Sequence, residues 1–143
     1  MDMENIAIRL THLPSAEDRA AVLEVLRQFT RESVPTLDNQ DFGALVADPD
    51  NRIVGGLVGS SRWGGFHIEM IALPAILRGR GLGSKLLVLA EEEARRRECS
   101  HMLLDTQAFQ AKPFYERHGF NVFGQLNGPP PYYPRFFMQK ALL

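Results

Sequence analysis

Arg78-Gly79-Arg80-Gly81-Leu82-Gly83-Ser84 separates a strand pattern from the strongest helix pattern in the chain. Its position carries the reading. The first turn of a helix has N–H groups with no intrahelical partner and about half a positive charge, which favours a bound anion. Glycine removes the Cβ that would hold the backbone away from that anion. Arg78 and Arg80 add charge-assisted donors. A tight turn that needs glycine only for its backbone angles is the simpler alternative. Two arginines among three alternating glycines at a helix start weigh against it.

Downstream, Leu82 to Arg97 reads as a helix with Leu82, Leu86, Leu89, Ala90 and Ala94 on one apolar stripe. Glu91, Glu92 and Glu93 stand four residues before Arg95, Arg96 and Arg97, an order worth about 0.3–0.5 kcal/mol per pair. The three arginines complement the negative helix end and read as solvated, not as a nucleic-acid patch. His101 to Asp105 is a short apolar strand. Ala111 to His118 is a short helix, closed by Gly119 at the left-handed position. Phe120 to Leu126 and Phe136 to Leu142 are strands joined by the proline-rich Gly128–Pro134 loop.

Upstream, Phe42–Ala47, Arg52–Gly59 and Phe66–Leu73 read as an antiparallel meander, with turns at Asp48–Asn51 and Arg62–Gly65. Near the N-terminus, Asn5–Thr11 has a strand pattern. Ser15 with Asp18 makes a capping box for a helix carrying Ala21, Val22, Val25, Leu26 and Phe29. That helix is expected to run to about Arg31, ahead of Pro35. The order β-α-β-β-β-α-β-α-β-β implies an α/β (α+β) fold. Its mixed, mostly antiparallel sheet is flanked by helices and holds one parallel pair in a central β-α-β unit.

The 143 residues suffice for one core, so residues 1–143 are expected to form a single domain. Hydrophobic residues at 45% and charged residues at 23% are ordinary for a globular chain and exclude disorder. A formal net charge of −1 gives no global field toward nucleic acid or an anionic membrane. The single Cys99 rules out an internal disulfide and a cysteine-based zinc site, and no metal is expected. The first residues lack a signal-peptide pattern and no apolar run spans a bilayer, so a cytoplasmic protein is expected.

Which phosphate ligand binds is a separate question. The nucleoside-triphosphate loop is excluded because no Gly-Lys-Ser/Thr follows. A dinucleotide fold is a rival, since Asp105 ends the next strand at about the right distance. Against it, Gly83 comes one residue early, the preceding strands are antiparallel, and little chain remains after Asp105.

Through two sets of residues the chain resembles the GNAT superfamily of acetyl-CoA-dependent N-acetyltransferases. The first signature, Gln/Arg-x-x-Gly-x-Gly/Ala, reads here as Arg78 to Gly83. A second is a helix carrying Ala, three residues, Tyr, then Gly-Phe, here Ala111, Tyr115 and Gly119-Phe120. The resemblance implies that the loop amides from Gly79 to Ser84 hold the CoA pyrophosphate. It implies that the backbone of Ile71, Ala72 and Leu73 pairs with the pantetheine arm. It also implies a V-shaped gap between that strand and His101–Asp105, and Tyr115 close to the CoA sulfur. Many relatives carry an asparagine where this chain has Ala108, so its contact is either missing here or comes from Gln107 or Gln110. Homodimers are common among proteins of this resemblance.

Amine acetylation needs a neutral amine, an oxyanion stabiliser and a proton donor for the leaving thiolate. Tyr115 is the candidate for the last. Glu69 is the candidate base, because alternation would put His67, Glu69, Ile71 and Leu73 on one face. His67 is the second choice. Trp63, Tyr132 and Tyr133 are placed at either the acceptor border or the core edge. His118 is explained by the helix dipole and Cys99 by burial. Transfer of acetyl from acetyl-CoA to a primary amine of a small molecule or peptide is the leading function. A non-catalytic CoA-binding sensor domain is the alternative.

Overall fold

The computed structural model describes residues 2–34 and 38–143, in two compact units, 1–37 and 38–143. Pro35, expected to stop the first helix, lies outside the described residues. In the first unit, α1 spans Ala16–Ser33. The Ser15 Oγ accepts from the Asp18 N–H at 3.0 Å and the Asp18 carboxylate accepts from the Ser15 N–H at 3.0 Å, which completes the capping box. The strand expected at Asn5–Thr11 is absent. Met3–Asn5 form a 3-10 turn, and residues 6–11 carry no regular structure. Their alternation is a strand pattern, but a strand persists only with a ladder partner, and among the described residues they have none.

The second unit is built on six strands: β1 (Gln40–Ala47), β2 (Ile53–Arg62), β3 (Gly65–Ala72), β4 (His101–Gln107), β5 (Asn121–Leu126) and β6 (Arg135–Ala141). Their spatial order is β1-β2-β3-β4-β6-β5. Every neighbouring pair is antiparallel except β3 and β4, the pair joined through α2 (Leu82–Arg96). That agrees with a mixed sheet around one β-α-β unit and leaves no doubly wound dinucleotide fold. The β2–β3 hairpin closes on Trp63-Gly64, with φ of 50° and 77°, the two left-handed residues of a tight hairpin turn. α3 is the short helix Lys112–Arg117.

Within this unit one core joins the sheet to α2 and α3. Phe66, Leu57, Met102 and Met138 are fully enclosed, with Leu86, Leu87, Ala90 and Ala94 of α2 over them. The buried stripe of α2 therefore includes Leu87 and not Leu89, which is 41% exposed. At about 100° per residue, Leu86, Leu87, Ala90 and Ala94 share one arc, and Leu89 lies about 60° outside it.

The end of α2 departs from the sequence reading. Glu91 pairs with Arg95 and Glu93 with Arg97, four residues on, but Glu93 also takes Arg96 and leaves Glu92 without that arginine. Arg97 is no solvated end. Its side chain is 11% exposed and donates to Gln40 O, Asp41 O and the Ser61 Oγ at 2.8–3.0 Å. It thereby ties the helix to β1 and β2.

Candidate active site

The β3–β4 ladder is short. It pairs Gly65, Phe66 and His67 with His101, Met102 and Leu103, and then the strands part. From Ile68 to Ala72 the β4-facing edge of β3 pairs with no strand. A cavity of about 550 Å³ occupies the gap. Glu69, Ile71, Ala72, Leu73, Arg78 and Tyr115 line it together, so these six candidates are brought to one place. Leu104, Asp105, Thr106, Phe109, Gln110 and Ala111 line it from the β4 side.

A bulge corrects the predicted strand face. β2 pairs Val58 with Met70 and Gly59 with Ile68, so Glu69 is an extra residue on β3. Such an insertion reverses the alternation beyond it. Phe66 and Ile68 point to the core before the bulge, and Ile71 and Leu73 pack against it afterwards. Hence His67 does not share a face with Ile71 and Leu73. It lies in the paired stretch and does not line the cavity. Glu69 does line it. The carboxylate is exposed and accepts from the Ser60 hydroxyl at 3.1 Å.

At the far end of β3, the Arg78 Nε donates to Leu73 O at 3.0 Å and keeps the arginine against the cavity. The loop then enters α2 through Gly79 and Gly81, at φ of 74° and 78°. A Cβ at either glycine would meet nothing within 4 Å, so both residues border open space. Gly81 is the N-cap and offers no side chain to the helix. The amides of Leu82, Gly83 and Ser84 therefore keep their donors for an outside acceptor. Arg80 is exposed on the same loop. This cradle, continuous with an unpaired strand edge, fits a phosphate-bearing ligand with a polar arm.

Tyr115 is 7% exposed. Burial, and next the charge of Asp105, push its phenol up to about 12. No hydrogen bond engages its hydroxyl among the described residues, and it is not sealed from solvent, so it opens on the cavity. Asp105 was weighed in the sequence only as a dinucleotide ligand. Here it is the second carboxylate of the cleft, opposite Glu69. The Arg135 Nε donates to its Oδ2 at 2.8 Å, and the same guanidinium forms an ion pair with that oxygen at 2.7 Å. The one sequence signal for it was an acid ending an apolar strand.

The glutamines left to replace the missing asparagine are partly engaged. The Gln110 Oε1 accepts from the Gln107 N–H at 2.6 Å, and the Gln107 Nε2 donates to Tyr132 O at 2.8 Å. Of the two, only Gln110 lines the cavity. Trp63, Tyr132 and Tyr133 do not line it, and Phe109 does. His118 is not a charged helix end. Partial burial, then Lys140 and Arg117, hold its ring below the usual histidine range, against the opposing charge of Glu91. The Cys99 thiol is pushed up by burial, as an inert packing residue should be. Among the described residues no group of three acidic, histidine or cysteine side chains could hold a metal, and no helix is long and apolar enough to cross a membrane.

Comparison with known proteins agrees with this geometry. The family described as Acetyltransferase (GNAT) family matches residues 8–120. The chain is 35% identical over 120 residues to Acetyltransferase Atu2258 of Agrobacterium fabrum, spanning 84% of this chain and 87% of the relative. It is 35% identical over 127 residues to Blasticidin-S acetyltransferase of Streptomyces morookaense, spanning 88% and 92%. The crystal structure of a candidate acetyltransferase from Agrobacterium tumefaciens superposes with a TM-score of 0.90 at 30% identity, covering 96% of this chain and 100% of that one. With that match over most of its length, the chain belongs to the GNAT acetyltransferase family.

Proposed function

We propose that this acyltransferase moves an acetyl group from acetyl-CoA to a primary amine of a small molecule or peptide by direct attack. One observation carries the reading. The gap between β3 and β4 holds Tyr115, Glu69 and Asp105 in a single cavity with Arg78, the residue that leads into the glycine loop, while Gly79 to Ser84 lie beyond its lining. Arg78 and Arg80 make the loop end cationic, which suits the CoA phosphates. At the other end Asp105 is paired with Arg135, and Glu69 supplies the carboxylate that suits an ammonium group waiting to lose its proton. A sensor domain would need neither the open phenol nor the acidic end.

The amine nitrogen attacks the thioester carbonyl, a C–N bond forms, and the C–S bond then breaks. Glu69 takes the proton that nitrogen must lose, directly or through water. The backbone of Ile71, Ala72 and Leu73 holds the pantetheine arm, and Gly79, Gly81, Leu82, Gly83 and Ser84 hold the pyrophosphate. Tyr115 faces the departing thiolate. A phenol near 12 lies about 3.5 units above an ordinary thiol, a gap of about 5 kcal/mol. Tyr115 therefore stabilises the thiolate by hydrogen bonding and keeps its proton.

The same reading takes residues 1–143 as one functional domain, since the family match runs from 8 to 120 across both compact units. It takes the compartment as cytoplasmic, consistent with a lone reduced Cys99. The Streptomyces relative is named for blasticidin-S, which makes that compound a rational first acceptor. The test is an amine panel with acetyl-CoA, read as released CoA thiol. Acetylated product from at least one amine supports the reading. CoA binding without turnover across the panel favours the sensor, and no binding at all removes both.

A further inference from the structure

Ser84, the third residue of α2, meets His118 at the end of α3. Its Oγ lies 2.9 Å from the His118 Nε2. Phe114 tilts against the same ring with centroids 4.9 Å apart, and a Cβ at Gly83 would sit 3.4 Å from the Phe114 Cζ. From β6, the Lys140 Nζ donates to the His118 carbonyl at 2.8 Å and to the Glu91 Oε2 at 3.0 Å. Three elements thus hold one imidazole against the first turn of the glycine-loop helix.

We propose that His118, acting through Ser84, is a positioning residue for the acyl donor, taking up one proton from solvent as the CoA phosphates bind at the start of α2. The inference rests on the CoA reading given above. The charged groups facing the ring are Lys140 from β6, Glu91 from α2 and Arg117 from α3. Partial burial, then the two cations against the one carboxylate, lower the pKa of the ring and favour its neutral form. With the ring proton on Nδ1, Nε2 accepts the only hydrogen of the Ser84 hydroxyl. A phosphate offers acceptors alone, so in that state the Ser84 side chain has no hydrogen to give it, and only the backbone N–H donates. A proton on Nε2 reverses the bond. The imidazolium donates to Oγ, the serine hydrogen is released toward the phosphate, and a positive charge stands beside it. The diphosphate supplies the negative charge that makes this uptake favourable. No covalent bond changes.

The experiment is calorimetric titration of the full chain with CoA from pH 5.5 to 8.5, in buffer pairs of different ionisation enthalpy. Wild type is expected to take up protons on binding. Its affinity should fall up to about tenfold per pH unit between the ring's pKa in the free and bound chains. His118→Gln presents an amide donor to Ser84 at every pH. It should show only the uptake that belongs to CoA's own phosphates. Ser84→Ala should weaken binding severalfold at pH 6 and hardly at pH 8.5. A merely structural bond would make that loss equal at both. Equal proton uptake by wild type and His118→Gln, or a pH-independent loss in Ser84→Ala, overturns the coupling and leaves the CoA reading standing. Wild type that does not bind CoA overturns both.

Discussion

Tyr115 and Asp105 line the same cavity, one from α3 and the other from β4, and the Asp105 carboxylate adds to burial in pushing the Tyr115 phenol up to about 12. The phenol is thus a neutral donor throughout the working range. Tyr115→Phe should lower kcat by about 10²–10³, the usual effect of removing one positioned donor, with little change in CoA affinity. The ionisation also has a stability consequence. The folded pKa lies above the ordinary value of 10.0, so the neutral form is the one the fold favours. That contribution is complete below pH 10 and is lost as pH rises toward 12. Thermal unfolding followed across this window should show a shallower alkaline decline in Tyr115→Phe than in wild type.

The two carboxylates are separated by their substitutions. Glu69→Gln should reduce kcat/KM by about 10²–10⁴ while CoA affinity holds. Asp105→Asn should keep most of the rate and lower the pKa of Tyr115, whose ionisation is read by ultraviolet absorbance. If instead the rate is lost in Asp105→Asn and kept in Glu69→Gln, the base is Asp105. His67→Gln should leave the rate unchanged, because His67 lies in the paired stretch of β3 and does not line the cavity.

Gly81→Asp puts a charge where a Cβ now meets open space. CoA binding should fall below detection by calorimetry. A non-glycine residue at a φ of 78° costs about 1–2 kcal/mol, so the variant should still fold, with a melting point a few degrees lower. A folded variant with wild-type affinity would place the phosphate elsewhere.

Arg97 and Arg96 should differ in kind, although they are neighbours. Arg97→Ala leaves Gln40 O, Asp41 O and Ser61 without their donor and should cost about 2–4 kcal/mol by denaturant unfolding. Arg96→Ala removes the more exposed of the two arginines on Glu93 and should lower the midpoint far less than Arg97→Ala. Hydrogen bonds from Arg96 and then Arg97 hold the Glu93 carboxyl down to about 2. Its contribution is therefore complete above the ordinary value of 4.5 and is lost as pH falls toward 2. Glu93→Gln should flatten the acid limb of the stability curve over that window.

Much of this protein is decided by near neighbours in the chain, and that part the sequence determined alone. The Ser15–Asp18 box, the Trp63-Gly64 turn, the glycine entry to α2 and the placing of Tyr115 on α3 each depend on residues within a few positions of one another. Backbone sterics and helix-end hydrogen bonding act at that range, so their patterns are legible in one dimension. Tertiary structure decided whatever rests on pairing between distant segments. The ladder between β2 and β3 makes Glu69 a bulge and sets His67 apart from Ile71 and Leu73. The parting of β3 from β4 brings Asp105 and Phe109 to the cavity beside Tyr115. Arg97 reaches across 57 positions to Gln40, and Ser84 across 34 to His118. The strand pattern of Asn5–Thr11 is the converse case: the alternation is present, but a strand is made by its partner, and only the assembled sheet shows which segments are paired.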